Sequence, residues 1–260
     1  MSIAYRYSKP SYFTGKIYNI NRLSRTLYEI DINIIQDKLI SLPPQFVLVC
    51  VPGYEAVPMS IAVQEENGGV IKLIVKPVGE TTNKLVTLNN EYIGIIGPLG
   101  KPLLPSGDKI LLLAGGSGVA PMLRFAQYYA SLKKDITFVF GAWESDEIGD
   151  VPGIIRRYAS EVITTCTNGC DIRGTVVDVL KYGYVREDEY DYVFVAGPEI
   201  MIRNIANYVK NQYKTIVIME RLVRCGLGLC GSCIISGTNK LLCYDGPGFV
   251  LSDIVEVLRQ

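Results

Sequence analysis

The sequence predicts an α/β plus all-β protein. An N-terminal antiparallel β-barrel is expected over residues 1–106, a doubly wound parallel sheet over 107–219, and a small C-terminal module over 220–260. Three features carry that expectation. In the first part, short segments rich in Ile, Val, Leu and Tyr follow one another with turn residues between them. Beyond Gly107, apolar runs alternate with helix-like stretches, the pattern of βαβ units. Finally, four of the seven cysteines fall within the nineteen residues from Cys225 to Cys243.

The expected barrel strands are Gly15–Asn21, Thr26–Ile32, Phe46–Val51, Ser60–Gln64, Val70–Lys76 and Glu91–Ile96. Leu42-Pro-Pro, Pro52-Gly53, Asn67-Gly-Gly and Pro98-Leu-Gly divide them, because proline and glycine supply the dihedrals that turns need. Short strands at this spacing suit a closed antiparallel barrel. A helical turn is expected between Lys84 and Asn90. In the second part the expected strands are Ile110–Leu113, Ile136–Gly141, Val162–Thr165, Tyr192–Ala196 and Thr215–Met219. Helices are expected over Pro121–Leu132, Thr175–Lys181 and Ile200–Lys210, between strands that pair in parallel.

Composition excludes several classes of function. Twenty-six basic residues balance twenty-six acidic ones, so no basic excess points to nucleic acid. No apolar run approaches the roughly 20 residues of a membrane span. The N-terminal run Met1-Ser-Ile-Ala-Tyr-Arg-Tyr7 has no apolar signal region, and a cytoplasmic, reducing setting fits the cysteine usage. The chain contains no histidine, which removes histidine-based triads, imidazole acid–base work and histidine metal sites. Chemistry therefore falls to cofactors, carboxylates, thiolates or hydroxyls.

Cys225, Cys230 and Cys233 have the spacing C-x4-C-x2-C, with Cys243 as a fourth thiol. That is the plant-type ligand pattern of a [2Fe–2S] cluster. Four thiolates must converge on a small iron–sulfide rhomb, and the glycines at 226, 228 and 231 let the loop fold back around it. A structural four-cysteine zinc site is the alternative, since it also uses C-x2-C pairs. An odd cysteine count argues against a disulfide framework. Cys50, Cys166 and Cys170 read as structural, and the Cys166-x3-Cys170 pair brings no further metal ligands in sequence.

Two turns carry a second kind of chemistry. Ala114-Gly-Gly-Ser-Gly-Val-Ala-Pro121 joins an apolar strand to a helix, so Gly115, Gly116 and Gly118 open backbone N–H groups to a pyrophosphate at a helix N-terminus. Packing is the competing explanation for those glycines. Gly197-Pro198 forms a second strand-to-helix turn. In the barrel, Val57-Pro-Met-Ser60 and the stretch from Lys76 to Leu85 offer a hydroxyl and a glycine turn with nearby lysines.

Taken in order, these pieces resemble the ferredoxin–NADP reductase superfamily, and the cysteine module resembles one branch of it: electron-transfer subunits of type B dihydroorotate dehydrogenase. Glu220 before the first cysteine and Cys243-Tyr-Asp-Gly-Pro-Gly-Phe249 after the loop match that branch. The resemblance implies FAD on the barrel, touched by Val57, Pro58, Met59, Ser60, Ile74, Val75, Lys76, Thr81 and Thr82. It implies a nicotinamide cofactor at Gly115, Gly116, Gly118, Gly197 and Pro198, with NAD or another molecule as the electron acceptor. It also implies a [2Fe–2S] cluster on Cys225, Cys230, Cys233 and Cys243. The partner it implies is an FMN-containing catalytic subunit in a heterotetramer of two copies of each, oxidising dihydroorotate in pyrimidine biosynthesis. Related subunits of a sulfhydrogenase or an NADH-dependent ferredoxin oxidoreductase share these motifs, and a zinc-stapled interaction module is the reading from another class. The chain departs from the family where Val57 replaces an arginine, where Ala196 replaces a cysteine, and where Trp143-Glu-Ser-Asp replaces a basic segment.

Overall fold

The barrel strands alternate apolar and polar residues, and the apolar set turns inward. Ile30 and Ile32, Val47 and Val49, Ile71 and Leu73, and Ile93 and Ile95 meet in one buried core. The structure, a computed structural model, describes residues 9–35 and 37–258. The N-terminal run read above for a signal region lies outside the described residues. Strands β1 (Ser11–Arg22), β2 (Tyr28–Ile35), β3 (Phe46–Cys50), β4 (Val57–Gln64), β5 (Val70–Val75) and β6 (Tyr92–Leu99) close in the order β1-β2-β5-β4-β3-β6. Helix α1 (Glu80–Leu85) starts earlier than the turn expected at 84–90. Its start is set by Thr82, whose hydroxyl accepts from the N–H groups of Val78 and Gly79, both at 3.0 Å.

Seven strands form the second sheet: β7 (Lys109–Gly115), β8 (Asp135–Gly141), β9 (Glu161–Cys166), β10 (Ile172–Arg173), β11 (Tyr192–Ala196), β12 (Thr215–Ile218) and β13 (Gly248–Val250). Their order is β10-β9-β8-β7-β11-β12-β13, parallel except for β13, which runs antiparallel to β12. The order reverses between β7 and β11, so a crevice opens there at the carboxyl ends of the strands. Helix α2 (Val119–Ser131) packs on the face toward the barrel, with α3 (Ser145–Ile148) and α4 (Val151–Ile155) following β8. The opposite face is covered by α5 (Val176–Lys181), α6 (Glu199–Ala206), α7 (Leu242–Asp245) and α8 (Val255–Leu258). The cysteine module is built into this layer: β13 extends the sheet, and Cys233, Ile235, Leu242 and Cys243 share a core with Leu111, Val195 and Leu48. Among the described residues, no helix is long and apolar enough to cross a membrane.

The sequence reads Cys166 and Cys170 as structural, and the structure shows how they act. Cys166 and Cys170 are joined in a disulfide, while Cys50 and the four module cysteines are free. The turn between β9 and β10 brings their Cα atoms to 5.6 Å, inside disulfide reach. Parity speaks against a framework of bridges but leaves room for one local pair.

Barrel and sheet are fixed to each other through α2. The Gln127 side-chain amide donates to the Gln64 carbonyl at 2.7 Å and accepts from the Gln64 N–H at 3.0 Å. It thus behaves like a peptide of a neighbouring strand. Arg124 donates to the Ser41 carbonyl at 2.7 Å and to the Gln127 amide oxygen at 2.9 Å. Arg25 adds a second tie from the barrel, meeting Glu144, Asp146 and Glu147 at 3.1, 2.9 and 3.0 Å. Arg25, Glu144 and Asp146 are exposed while Glu147 is only 17% exposed, and pairs on such a surface contribute little each. Removing the amide in Gln127→Ala strands the backbone groups of Gln64 at the joint. A loss of about 1–3 kcal/mol is expected, read as a lower urea midpoint, while Arg25→Ala shifts it by much less.

Candidate cofactor cleft and cysteine loop

A cavity of about 320 Å³ lies where barrel, crevice and cysteine module meet. One wall is barrel: Phe46, Pro58, Met59, Ser60, Ile74, Lys76 and Thr82. The opposite wall comes from the sheet: Ser117, Ala120 and Pro121 at the start of α2, Ala196 at the end of β11, and the run Ile218–Arg221. Val223, Leu242 and Pro247 of the module close it. The volume is in the range of small-molecule sites, and the lining is mostly apolar with a few polar groups, as cofactor sites are.

The barrel residues singled out in the sequence divide between this cavity and structural duties. Pro58, Met59, Ser60, Ile74, Lys76 and Thr82 line it. Val75 points instead into the barrel core, and Val57 packs against that core. Thr81 donates its hydroxyl to the Glu55 carbonyl at 2.9 Å and does not line the cavity. Thr82 donates to the Gly79 carbonyl at 3.0 Å, so its hydroxyl also shapes the turn it belongs to. Of the two lysines near the missing arginine, Lys76 reaches the cavity and Lys84 does not.

The two glycine turns lean on each other. A Cβ on Gly118 would strike the carbonyl of Ala196, and one on Gly115 would come within 2.6 Å of the Met201 sulfur. A Cβ on Gly197 would reach 3.2 Å from the Gly115 backbone. Gly115, Gly118 and Gly197 are therefore required by close packing of the β7–α2 turn on the β11–α6 turn, with Pro198 as the cap residue of α6. Gly116 differs: it has φ +53° and open space around it. It is the glycine of the set that faces outward with a left-handed backbone, the arrangement that lets a ligand approach.

Sequence reasoning did not place Phe46, Met219, Arg221, Val223 or Leu242 in this cleft. Met219, Arg221, Val223 and Leu242 had nearness to the cysteine module as their only sequence signal, and Phe46, in β3, had none. Arg221 bonds Glu199 at 2.9 Å, and Arg203 bonds the same carboxylate at 2.7 Å. The Arg203 hydrogen bond, with Arg221 alongside, holds Glu199 below the usual carboxylate range. Glu220 has no such partner. Its carboxyl is reached by solvent through the cleft but surrounded by protein, and that desolvation pushes its pKa up.

The four module cysteines form two contacting pairs, Cys225 with Cys230 and Cys233 with Cys243. Backbone N–H groups point at the sulfurs: Leu227 to Cys225 at 3.4 Å, Gly228 to Cys243 at 3.3 Å and Cys243 to Cys233 at 3.4 Å. Gly226, Gly228 and Gly231 all have φ between +71° and +77°, which creates that inward array. The Ser232 hydroxyl and neighbouring N–H groups draw the Cys230 thiol down to about 6. Burial pushes Cys243 up to about 12. Among the described residues, no three ligand side chains are gathered as tightly as one metal ion requires. Two pairs of thiols with N–H donors fit an iron–sulfur cluster better than a single zinc ion.

Comparison with known proteins agrees with this geometry. Residues 220–255 match the iron–sulfur cluster binding domain of dihydroorotate dehydrogenase B. The chain is 32% identical to the dihydroorotate dehydrogenase B (NAD(+)) electron transfer subunit of Clostridium perfringens, over 92% of this chain and 96% of that one. Relatives assigned to the same family occur in Pyrococcus furiosus, 37% identical over 83% of this chain and 82% of the relative, and in Archaeoglobus fulgidus, 32% identical over 94% and 99%. Among solved structures, an NADH-dependent reduced ferredoxin–NADP oxidoreductase superposes with a TM-score of 0.81 at 24% identity, covering 95% of this chain and 93% of that chain. The ferredoxin reductase of carbazole 1,9a-dioxygenase gives 0.68 at 18% identity, over 77% and 65%. These two show the fold.

The raised Glu220 pKa has a pH signature. The folded state holds this proton more tightly than the unfolded chain, so the penalty of the charged form is absent below the unfolded glutamate pKa and complete above the folded one. In the flavin-free protein, Glu220→Gln is expected to raise Tm at neutral pH. That gain should close as the pH falls through the ordinary glutamate range.

Cleft, cysteine loop and relatives converge: the chain belongs to the family of electron-transfer subunits of dihydroorotate dehydrogenase B, and is an oxidoreductase subunit with an iron–sulfur binding module.

Proposed function

We propose that this subunit carries electrons from dihydroorotate oxidation, performed by an FMN-containing partner, through a [2Fe–2S] cluster and FAD to NAD. The observation that carries the reading is the single cavity walled by barrel, glycine turn and cysteine module together. In functional terms the chain divides into a flavin unit (1–106), a nicotinamide unit (107–219) and a cluster unit (220–260). FAD bound in the cleft exchanges a hydride with a nicotinamide and single electrons with a cluster, which is why it suits the junction.

The roles of the chain's own residues follow from the cleft. Ser60 presents a hydroxyl from β4, Lys76 a cation from the end of β5, and Ile74 and Met59 an apolar bed. Ala196 and the start of α2 face them from the nucleotide side. Lys76 stands in for the arginine that Val57 replaces, as a point charge without the bidentate geometry. Cys225, Cys230, Cys233 and Cys243 hold the cluster, and the N–H groups around them stabilise thiolate charge. The four thiols needed for it are free.

The partner docks over the cysteine loop in this reading. Leu227 and Leu229 are 51% and 81% exposed, with Leu222, Ile234 and Tyr244 exposed nearby. An apolar surface there shortens the path between cluster and partner flavin and excludes water from it. The assembly proposed is two copies of each subunit.

Anaerobic titration with NADH tests the electron path. Bleaching of both flavin and cluster absorbance is expected; reduction by dithionite alone would move the acceptor elsewhere, and a colourless protein rich in zinc would end the redox reading. Cys230→Ser is expected to lose the cluster absorbance and labile sulfide while keeping stoichiometric FAD.

A further inference from the structure

Sheet order decides which way a dinucleotide can lie. The cavity takes its sheet-side lining from the β7–α2 turn (Ser117, Ala120, Pro121), from Ala196 at the end of β11 and from Ile218 and Met219 at the end of β12. Residues of β8 and β9 do not line it. A nicotinamide that meets a flavin must therefore lie on the β11–β12 side of β7. With the pyrophosphate over the outward-facing Gly116, the rest of the molecule is sent to the other side, across the end of β8.

An indole stands at that end. Gly115 pairs with Gly141 in the β7–β8 register, and Trp143 lies two residues beyond Gly141. Strand spacing and rise put its backbone on the order of 8–10 Å from Gly115. Trp143 is 69% exposed and belongs to none of the three buried cores. Its backbone is nonetheless firmly mounted. Its N–H donates to the Glu147 carboxylate at 3.1 Å, and its carbonyl accepts from the Thr167 N–H at 3.1 Å. Arg25 ties the same loop to the barrel through Glu144, Asp146 and Glu147. A large flat side chain, exposed on a fixed backbone, is preorganised to bind without first having to be ordered.

We infer that Trp143 is the stacking platform for the adenine of the nicotinamide dinucleotide. The inference rests on the nicotinamide reading above and names the residue that grips the non-reacting half.

Trp143 is the only tryptophan in the chain, so its emission reports the site directly. The holoprotein is titrated with ADP-ribose and with nicotinamide mononucleotide. ADP-ribose is expected to quench the tryptophan emission, and nicotinamide mononucleotide to leave it unchanged. By calorimetry, Trp143→Ala should weaken ADP-ribose about tenfold, within the range of base–aromatic stacking, whereas Trp143→Phe stays close to wild type. With NADH as substrate, KM should rise in Trp143→Ala while kcat holds, because the lost contact is remote from the reacting carbon. ADP-ribose binding that leaves emission unchanged, or equal affinity for wild type and Trp143→Ala, overturns the platform while leaving the nucleotide site standing. Absence of any binding of ADP-ribose or NADH to the wild-type holoprotein overturns both.

Discussion

The cleft depends on helix α2 being held at two places at once. Its N-terminal turn is pressed against the β11–α6 turn, where Gly118 meets the Ala196 carbonyl with no room for a side chain. Further along, Gln127 is hydrogen-bonded into the edge of β4. One end of α2 is thus fixed to the nucleotide side and its middle to the strand that also carries Pro58, Met59 and Ser60. Two domains joined only by a linker move relative to each other by default. Here the satisfied amide pair makes the gap between barrel and sheet a fixed dimension. The cavity exists because that gap is fixed.

Two of the three departures from the family pattern, at Val57 and Ala196, look different in this light. Val57 sits at the start of β4, paired with Val49 and packed on the barrel core, so an apolar residue is at home there. The cation that does reach the cavity is Lys76. Ala196 lies where β11 meets the glycine turn of α2, and its backbone carbonyl is the atom that Gly118 accommodates. Its side chain is one of the small apolar surfaces of the cavity.

Much of this was legible in the sequence, and the rest was hidden for identifiable reasons. All six barrel strands and the five longer strands of the sheet announce themselves through β-branched runs and turn residues, and β11 was placed to the residue. The cysteine spacing pointed to iron–sulfur with zinc as the alternative, and the match of residues 220–255 to an iron–sulfur binding domain bears the first reading out. What sequence could not show is which glycines serve packing and which serve a ligand, since that depends on the neighbouring turn. Nor could it show that Val75 faces the barrel interior while Ile74 faces the cleft, because one step in strand register exchanges the two faces. The Cys166–Cys170 link was obscured by an odd cysteine count, and β13 by its three-residue length.

That short last strand has a bearing on how the protein comes to hold metal. β13 follows Cys243 in the chain and pairs with β12, locking Cys233 and Cys243 into the core they share with the sheet. Two of the four cysteines are thus held by a strand that lies beyond them in sequence. In small zinc-dependent domains the metal organises the fold. Here Cys233 and Cys243 are packed among residues of the sheet itself, so half of the ligand set belongs to the core of the larger fold.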